Sequence, residues 1–427
     1  MNGRTFSLDP YLFGQEVRDH DGGQPTWYVQ QERSSAPGAI ATTTMATSTP
    51  PAASNAPPAA GTSSRTAVST VTGEEVQILI LKLDQAKDSL LSPLPLVDLS
   101  GSSSSLGGKK GGAAPPKHLR QTESICRHLQ RLGLLSPDPL DAKEKKDSCC
   151  QPCYIELGCG TAKLSDHISQ IVHGNCSHIL LDKKDPSSFK AVRLLDGTIS
   201  QRQSKDNNVF LQRKTTDLQN IDVLSELIGN QKDTANNNYV FVSKHLCGAA
   251  ADYAIQGLQK IAEIPKKQSP LPPLVVATCC HHRCDAQSFC NLDFFRHLGF
   301  TDRDFEALHI VSSWSSIKVP SQKKRKAAAD VVKAHEEETT SDYVNLPPLP
   351  SLPLPQELPD CNNNDKLIPS EVFEREFSRE DKAALGKRCK LALDTARGHA
   401  LKRMGYDKVQ FVRYTTLSLE DTLMIAT

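Results

Sequence analysis

The chain has 427 residues, and its 50 Lys and Arg residues balance 49 Asp and Glu residues to a formal charge of +1. That length accommodates two or three domains, and the balanced charge excludes a uniformly basic protein, so any nucleic-acid site must be a local patch. The 13 cysteines are scattered and include adjacent pairs, which argues against a secreted disulfide framework and favours an intracellular location, in the nucleus or the cytoplasm.

Residues 1–73 are predicted to be a disordered N-terminal segment. From Ser34 onward this stretch is rich in Ala, Thr, Ser and Pro, which bury too little apolar surface to offset the entropy of ordering. The start of the chain shows no charged-then-apolar leader, and no apolar run approaches the ~18 residues of a membrane span. We therefore expect no membrane partner.

Residues 74–116 are predicted to form a helix followed by a flexible linker. Apolar residues recur at helical spacing over Glu74–Leu91, whereas 102–112 consist mostly of Ser, Gly and Lys. A second helix is predicted over Lys117–Leu135, where the main domain, 117–427, begins.

From Cys153 onward, continuous apolar strands alternate with helices, which is typical of a parallel sheet covered on both faces. The predicted strands are Cys153–Leu157, His178–Leu181, Val209–Arg213, Tyr239–Ser243 and Leu274–Thr278. A basic and proline-rich insertion at 321–370 is predicted to be disordered. A helix capped by Ser378 and ended by Gly405, then strands Val409–Tyr414 and Leu423–Ala426, complete the pattern.

The turn after the first strand carries Glu156, Gly158 and Gly160. Glycines here let the backbone approach a ligand, but the dinucleotide fingerprint needs a third glycine where Lys163 stands. The remaining pattern resembles the first motif of S-adenosylmethionine (SAM)-dependent methyltransferases, in which the glycines hold the methionine part of the cofactor. We therefore predict cofactor binding by Glu156, Gly158, Cys159 and Gly160; the alternative is an ordinary tight turn.

Two acids follow the next strands of the predicted sheet. Asp182 ends the second strand, where a carboxylate can accept hydrogen bonds from a ribose diol. Asp217 follows the third strand and is predicted to reach the adenine amine, unless it is only a turn acid. Together with the glycine turn, these acids favour an adenosine-containing cofactor.

Two clusters of Cys, His and basic residues follow the fourth and fifth strands, at Ser243–Gly248 and Cys279–Cys284. Three interpretations compete: a zinc site, a nucleophilic cysteine, and acid/base chemistry on a hydroxyl. Adjacent Cys-Cys and His-His give poor metal geometry, and the C-x-x-C at 150–153 lacks a second ligand pair, so no metal ligand is predicted. The acid/base interpretation assigns catalytic roles to Lys244, His245, His281 and His282; the alternative is packing.

Three motifs together resemble the Trm thirteen family of eukaryotic tRNA 2′-O-ribose methyltransferases: I-E-L-G-C-G at 155–160, K-H-L-C-G at 244–248, and C-C-H-H-R-C at 279–284. The resemblance covers 117–427 apart from the insertion. It implies a class I, Rossmann-like, seven-stranded methyltransferase fold. It also implies SAM as methyl donor and the ribose of the fourth nucleotide in the tRNA acceptor stem as acceptor.

The sequence departs from the family in four places, one of which is Ala250-Ala251, where the family has an alanine-threonine pair. The family usually opens with CHHC and CCCH zinc fingers, which would imply zinc, but no cysteine precedes Cys126 here. Ala162 stands where glycine is common, and Ala286 and Gln287 replace an aromatic residue. These departures leave open an RNA-binding scaffold of weak activity. The predicted tRNA contacts are Arg283, Arg193, Arg202, Arg213, Lys214, Lys387, Arg388, Lys390, Arg397, Lys402 and Arg403.

Overall fold

The computed structural model describes residues 71–100, 116–136, 151–185, 190–203, 209–229, 238–263, 270–317, 343–349 and 367–427. Residues 1–70 of the predicted disordered segment lie outside the described residues. The same holds for 101–115 of the predicted linker and for most of the insertion at 321–370. Residues 73–427 belong to one folded unit.

Helices and strands alternate along most of the described chain. The helices are α1 (Gly73–Gln85), α2 (Lys117–Arg131), α3 (Lys163–Ile171), α4 (Lys190–Arg202), α5 (Val223–Gly229), α6 (Ala249–Ala262), α7 (Leu292–His297), α8 (Asp302–Ser312), α9 (Ser370–Glu376) and α10 (Arg379–Met404). The strands are β1 (Pro152–Leu157), β2 (Ser177–Asp182), β3 (Leu211–Thr215), β4 (Asn238–Cys247), β5 (Leu274–Cys279), β6 (Val344–Asn345), β7 (Val409–Arg413) and β8 (Thr422–Ala426).

All eight strands form one sheet in the order β3-β2-β1-β4-β5-β8-β7-β6. β1 to β5 are mutually parallel, β8 runs antiparallel between β5 and β7, and β6 pairs antiparallel with β7. The predicted α/β class and the antiparallel strand in the terminal pair are confirmed, but the sheet has eight strands rather than seven. The extra strand, β6, lies inside the predicted disordered insertion; two residues carry no periodic signal, and pairing with β7 orders them.

The strand order reverses between β1 and β4. The chain passes from β1 to β2 and β3 on one side, then returns to place β4 and β5 on the other. Ligands of open α/β sheets bind outside the carboxyl ends of the strands at such a switch point. We call the side where β1 to β5 end the carboxyl edge.

Apolar side chains fill both faces of the sheet. On one face, Ile155 and Phe241 pack in a cluster that includes Leu258 of α6 and Leu401 of α10. The opposite face is covered by α2 and α3; its buried residues include Ile125, Leu129, Tyr154, Leu164 and Ile168. Because successive strand residues point to opposite faces, one apolar strand supplies both clusters.

Two strands differ from their predicted spans by more than one residue at an end. β3 spans Leu211–Thr215, so it begins and ends two residues later than predicted. β4 does not end at Ser243 but continues to Cys247 across an irregularity, since Ser243 pairs with Val276 and Leu246 with Thr278. Between these two pairs β4 advances by three residues while β5 advances by two. β4 therefore contains a β-bulge at Lys244 and His245.

The long C-terminal helix begins and ends where the sequence predicts. Ser378 and Asp381 form the predicted capping box, and Gly405 closes α10 in the left-handed conformation at φ 106°. Among the described residues, no helix is both long and apolar enough to cross a membrane.

Candidate active site

The glycine turn after β1 faces open space. Gly158 and Gly160 have φ values of 63° and 50°, which favour glycine. A Cβ built at Gly160 meets no atom within 4 Å, whereas one at Gly158 lies 3.3 Å from the His245 carbonyl oxygen. Gly158 thus lets the turn pass close to the bulge of β4, and Gly160 leaves room for a ligand.

Hydrogen bonds hold this turn against the end of β2. The Gly160 N–H donates to Asp182 Oδ2 at 2.7 Å, and the Cys159 N–H donates to the Leu181 carbonyl at 3.0 Å. Asp182 Oδ1 accepts from the Lys184 N–H at 2.9 Å. Each carboxylate oxygen has a second lone pair, so Asp182 keeps the capacity to accept from a ligand hydroxyl.

Arg213 on β3 stabilises the same turn with hydrogen bonds. Its guanidinium donates to Cys159 Sγ at 3.0 Å and to the Gly160 carbonyl at 3.1 Å. Asp196 on α4 holds it through two hydrogen bonds of 2.8 and 2.7 Å. The prediction of Arg213 as a tRNA contact is therefore wrong: these partners occupy it inside the protein.

Glu156 lies beneath the turn and is 3% exposed. Its Oε2 accepts from the Ser165 N–H at 3.0 Å and from Ser165 Oγ at 2.6 Å, which anchors the first turn of α3. Burial raises the pKa of Glu156 to about 7, although the Ser165 hydrogen bonds and the charge of Lys244 oppose that rise. Burial and the Ser165 bonds give Glu156 a role in positioning α3, and its contact with the cofactor stays a prediction.

Replacing Glu156 with Gln should flatten the pH dependence of stability between about pH 4.5 and 7. The folded carboxyl holds its proton up to about pH 7, but the unfolded one loses it above 4.5, so wild-type stability falls across this range. A shift of that size corresponds to roughly 3 kcal/mol. Gln keeps an oxygen for both Ser165 donors. Urea unfolding at pH 5 and pH 8 measures the difference, with Glu263→Gln, at the C-cap of α6, as control. Parallel curves for Glu156→Gln and wild type would contradict this assignment.

Asp217 lies just beyond the end of β3, at the carboxyl edge of the sheet. It forms an ion pair with Lys183 at 2.7 Å, and that hydrogen bond lowers the pKa of Asp217. The Thr216 N–H donates to the Asp182 carbonyl at 2.8 Å, which joins the β2 and β3 ends. The contact of Asp217 with an adenine amine stays a prediction.

Lys244 and His245 occupy the bulge of β4. Lys244 is half-buried, and this burial lowers its pKa, with the charge of Lys163 acting in the same direction and Glu156 against it. His245 is exposed to solvent at the carboxyl edge. Neighbouring protein atoms shield part of the imidazole from water, and this lowers the pKa of His245. The positive charge of Lys244 lowers that pKa further.

Helix α2 brings a histidine to this place that the sequence analysis did not select. The rings of His118 and His245 lie edge to face with centroids 6.4 Å apart. Ser124 of α2 anchors the helix by donating to the Tyr414 carbonyl at 2.6 Å. In the sequence, His118 stands in the segment Lys117-His118-Leu119-Arg120, at the start of the predicted helix Lys117–Leu135.

The two histidines after β5 lie in different environments. His282 is exposed, but His281 is 1% exposed, and its Nε2 lies 2.8 Å from Asp394 Oδ1. His281 therefore differs from His245 and His282, which are exposed, and from Lys244, which is half-buried. The His281 imidazole packs against Asp394 but also lines the cleft on the β8 side of the carboxyl edge, so its acid/base role stays a prediction.

A buried ionic network surrounds His281. Arg397 forms hydrogen bonds of 3.0 and 2.7 Å with the Asp252 carboxylate and one of 3.2 Å with Asp394 Oδ1. Thr278 Oγ1 donates to Asp394 Oδ2 at 3.0 Å. The network joins α6, α10 and the end of β5. It also shows that the predicted tRNA contact at Arg397 is wrong, because this side chain is fully buried.

Three cysteines meet where β4 and β5 end. Cys247 Sγ and Cys279 Sγ are 2.9 Å apart, and these sulfurs and that of Cys280 all lie within 4.8 Å of one another. Hydrogen bonds from the Cys247 and Cys279 thiols, then the positive charges of His282 and Arg283, lower the pKa of Cys280. Spacing alone did not reveal this cluster, because Cys247 lies 32 residues from its partner.

A cleft of about 640 Å³ opens beside the network, on the β8 side of the carboxyl edge. It lies between α10, the segment after α1 and the β7–β8 connection. Since β8 is antiparallel to β5, its first residue lies next to the end of β5. Basic and acidic side chains both line the cleft: Lys87, Lys387, Arg388, Lys390, Arg413, Glu420 and Asp421.

Replacing Gly160 with Ala should weaken SAM binding at least tenfold, about 1.4 kcal/mol, because the added methyl group projects into the open face of the turn. Gly133→Ala is a matched control. Gly133 also has a positive φ, 69°, and nothing within 4 Å of a built Cβ, but it lies after α2. Calorimetric titration with SAM checks the pair; equal affinities would show that Gly160 does not face the cofactor.

Comparisons with known proteins agree with this geometry. A family model described as "Methyltransferase TRM13" matches residues 120–349. A human protein, "tRNA:m(4)X modification enzyme TRM13 homolog", is 24% identical over 398 residues, covering 84% of this chain and 75% of that protein. A Yarrowia lipolytica protein, "tRNA:m(4)X modification enzyme TRM13", is 24% identical over 316 residues, covering 71% of this chain and 57% of that protein. Because the family model spans more than half of the sequence, the chain belongs to the TRM13 family of tRNA-modifying methyltransferases.

Proposed function

We propose that this chain transfers the methyl group of SAM to the ribose 2′-hydroxyl of the fourth nucleotide in the tRNA acceptor stem. One observation carries the proposal: the glycine turn and the Lys244–His245 bulge are in direct contact at the carboxyl edge. The contact is the close approach of Gly158 to the His245 carbonyl. The family assignment, and the name that its curated relatives carry, support the position and the substrate.

The residues around the glycine turn fit SAM. The open face at Gly160 leaves room for the methionine part, and Asp182 lies beside it with lone pairs for the ribose diol. Bound SAM supplies an electrophilic methyl group on sulfur. Around it, the chain orients the acceptor and receives the proton.

Lys244 is the residue best placed to receive the hydroxyl proton. Its burial favours the neutral amine, which is the form that can accept a proton. His245 and His282 line the exposed side of the same edge and can donate or accept hydrogen bonds to the ribose. Alignment of hydroxyl and methyl group then supplies much of the rate enhancement.

We place the acceptor stem over the exposed end of this edge. A-form RNA presents its 2′-hydroxyls in a wide, shallow minor groove, which suits an exposed site rather than a deep pocket. Arg283 follows the histidines and is exposed, and Lys387 of α10 lines the cleft nearby. Their contacts would be to phosphate, so binding should weaken as salt rises.

Transfer of tritium from labelled SAM to tRNA tests the proposal. Three transcripts are compared: one unmodified, one with a 2′-deoxyribose at nucleotide four, and one with a 2′-deoxyribose at nucleotide five. We expect label on the first and third only, recovered as a 2′-O-methylnucleoside. Label on a base, or transfer that survives the deoxyribose at nucleotide four, would contradict the proposal. Absence of SAM binding by calorimetry would instead favour a scaffold that keeps the fold.

A further inference from the structure

We infer that Cys247, Cys279 and Cys280 form a binding site for a zinc ion at the carboxyl ends of β4 and β5. The three sulfurs already lie within 4.8 Å of one another. The inference stands apart from the proposed methyl transfer, since it concerns metal content rather than activity.

The backbone explains why adjacent cysteines can act together here. Neighbouring residues in an extended strand point to opposite faces, which argues against a Cys-Cys pair as joint ligands. Cys280, however, has left-handed dihedral angles, φ 50° and ψ 43°. This conformation bends the chain immediately after β5 and turns both thiols toward Cys247.

A glycine next to Cys247 allows the two loops to meet. A Cβ at Gly248 would lie 2.5 Å from Arg283 Cβ, so only glycine permits this approach. The Gly248 N–H also donates to the Cys279 carbonyl at 3.1 Å. The contact fixes the spacing between the strand that carries Cys247 and the turn that carries Cys280.

The donor set indicates a soft divalent ion. Three thiolates match zinc, which binds sulfur at about 2.3 Å, so that tetrahedral geometry separates the sulfurs by roughly 3.8 Å. The Cys247–Cys279 separation of 2.9 Å must then widen by about 0.9 Å, within reach of small side-chain rotations. On binding, each thiol releases its proton to solvent.

The surroundings suit a site with an open fourth position. Cys279 is buried, Cys280 is half-buried and Cys247 is exposed, so the cluster reaches solvent on one side. Three protein ligands plus an exchangeable fourth ligand are typical of zinc sites that are not purely structural. Three thiolates around Zn²⁺ carry one net negative charge, which the guanidinium of Arg283 offsets; the Arg283 side chain packs against Gly248, next to Cys247.

Elemental analysis of the full-length protein, purified under reducing conditions, tests the inference. We expect about one zinc ion per chain, and loss of most of it in Cys247→Ala and in Cys280→Ala. Cys284→Ala is the matched control, because Cys284 belongs to the same motif but not to the cluster. Cobalt substitution gives a second readout: sulfur-to-cobalt charge-transfer absorption in wild type and Cys284→Ala, and its loss in the other two.

Three outcomes would overturn the inference. One is purified wild-type protein that contains no metal. Another is zinc that stays bound in both Cys247→Ala and Cys280→Ala, because that zinc would belong to another site in the chain. The third is a Cys247–Cys279 disulfide found by peptide mapping of the protein as purified under reducing conditions, because a disulfide that persists there leaves no thiolates to bind zinc. Because Cys247 is exposed, Cys247→Ala should keep the wild-type circular-dichroism spectrum, which separates loss of metal from loss of fold. Its melting temperature should fall, because bound zinc no longer stabilises the folded chain.

Discussion

Replacing Lys244 with Ala should lower the rate of methyl transfer to tRNA by about 10²–10⁴-fold, the usual contribution of a positioned acid/base group. Burial lowers the pKa of the Lys244 amine, which increases its neutral fraction near physiological pH. The wild-type rate should therefore rise with pH until the amine is fully deprotonated. Single-turnover transfer from labelled SAM, measured across pH, checks both the rate and its profile.

Two further variants separate proton transfer from charge. Lys244→Arg keeps a cation that does not release its proton, so its rate should stay near that of Lys244→Ala. Lys260→Ala on α6, an ion-paired surface lysine, should behave as wild type. SAM affinity should be unchanged in all three. Full activity of Lys244→Arg would assign Lys244 an electrostatic role instead.

Replacing Arg397 with Met should destabilise the protein by about 3–5 kcal/mol, because it leaves two buried carboxylates without their cation. Because methionine has nearly the volume of arginine, the lost stability measures removal of the charge rather than creation of a cavity. Asp252 and Asp394 are each 0% exposed, and Phe289 lies 5.6 Å from the guanidinium on its other side. Urea unfolding gives the free energy of unfolding directly.

The comparison variant is Arg388→Ala on the same helix. Arg388 pairs with Asp84 at 2.5 Å, but both side chains are exposed, and such pairs contribute at most about 1 kcal/mol. Adding Asp252→Asn to Arg397→Met should recover part of the lost stability, since one unpaired charge is removed. Equal losses in Arg397→Met and Arg388→Ala would mean that water reaches the network.

The sequence predicted the parts of the site that depend on neighbours in the chain. The glycine turn, the acid that ends β2 and the capping box of α10 are local patterns, and each lies where its residues indicate. The strand spacing also predicted that residues after β4 and β5 share one edge of the sheet. The periodic apolar pattern sufficed for this, because parallel strands end together.

Features that depend on tertiary contacts could not be predicted in this way. A basic side chain looks the same in sequence whether it faces RNA or an aspartate, and this is why Arg213 and Arg397 were misassigned. His281 and His282 are adjacent, yet only one is buried, because the turn after β5 directs them apart. The cysteine cluster could not be predicted, because it depends on the pairing of Cys247 in β4 with Cys279 in β5.

The extra residue in β4 has an implication for how the protein tolerates insertions and deletions. Beyond the bulge, Leu246 is buried and Cys247 is exposed. Removing one residue at 244–245 would restore an uninterrupted ladder with β5 but shift the frame that decides which side chain faces outward. The irregular pairing at this point brings Lys244, His245 and Cys247 to one edge of the sheet, so we expect this protein to tolerate length changes elsewhere in the domain better than at 244–245.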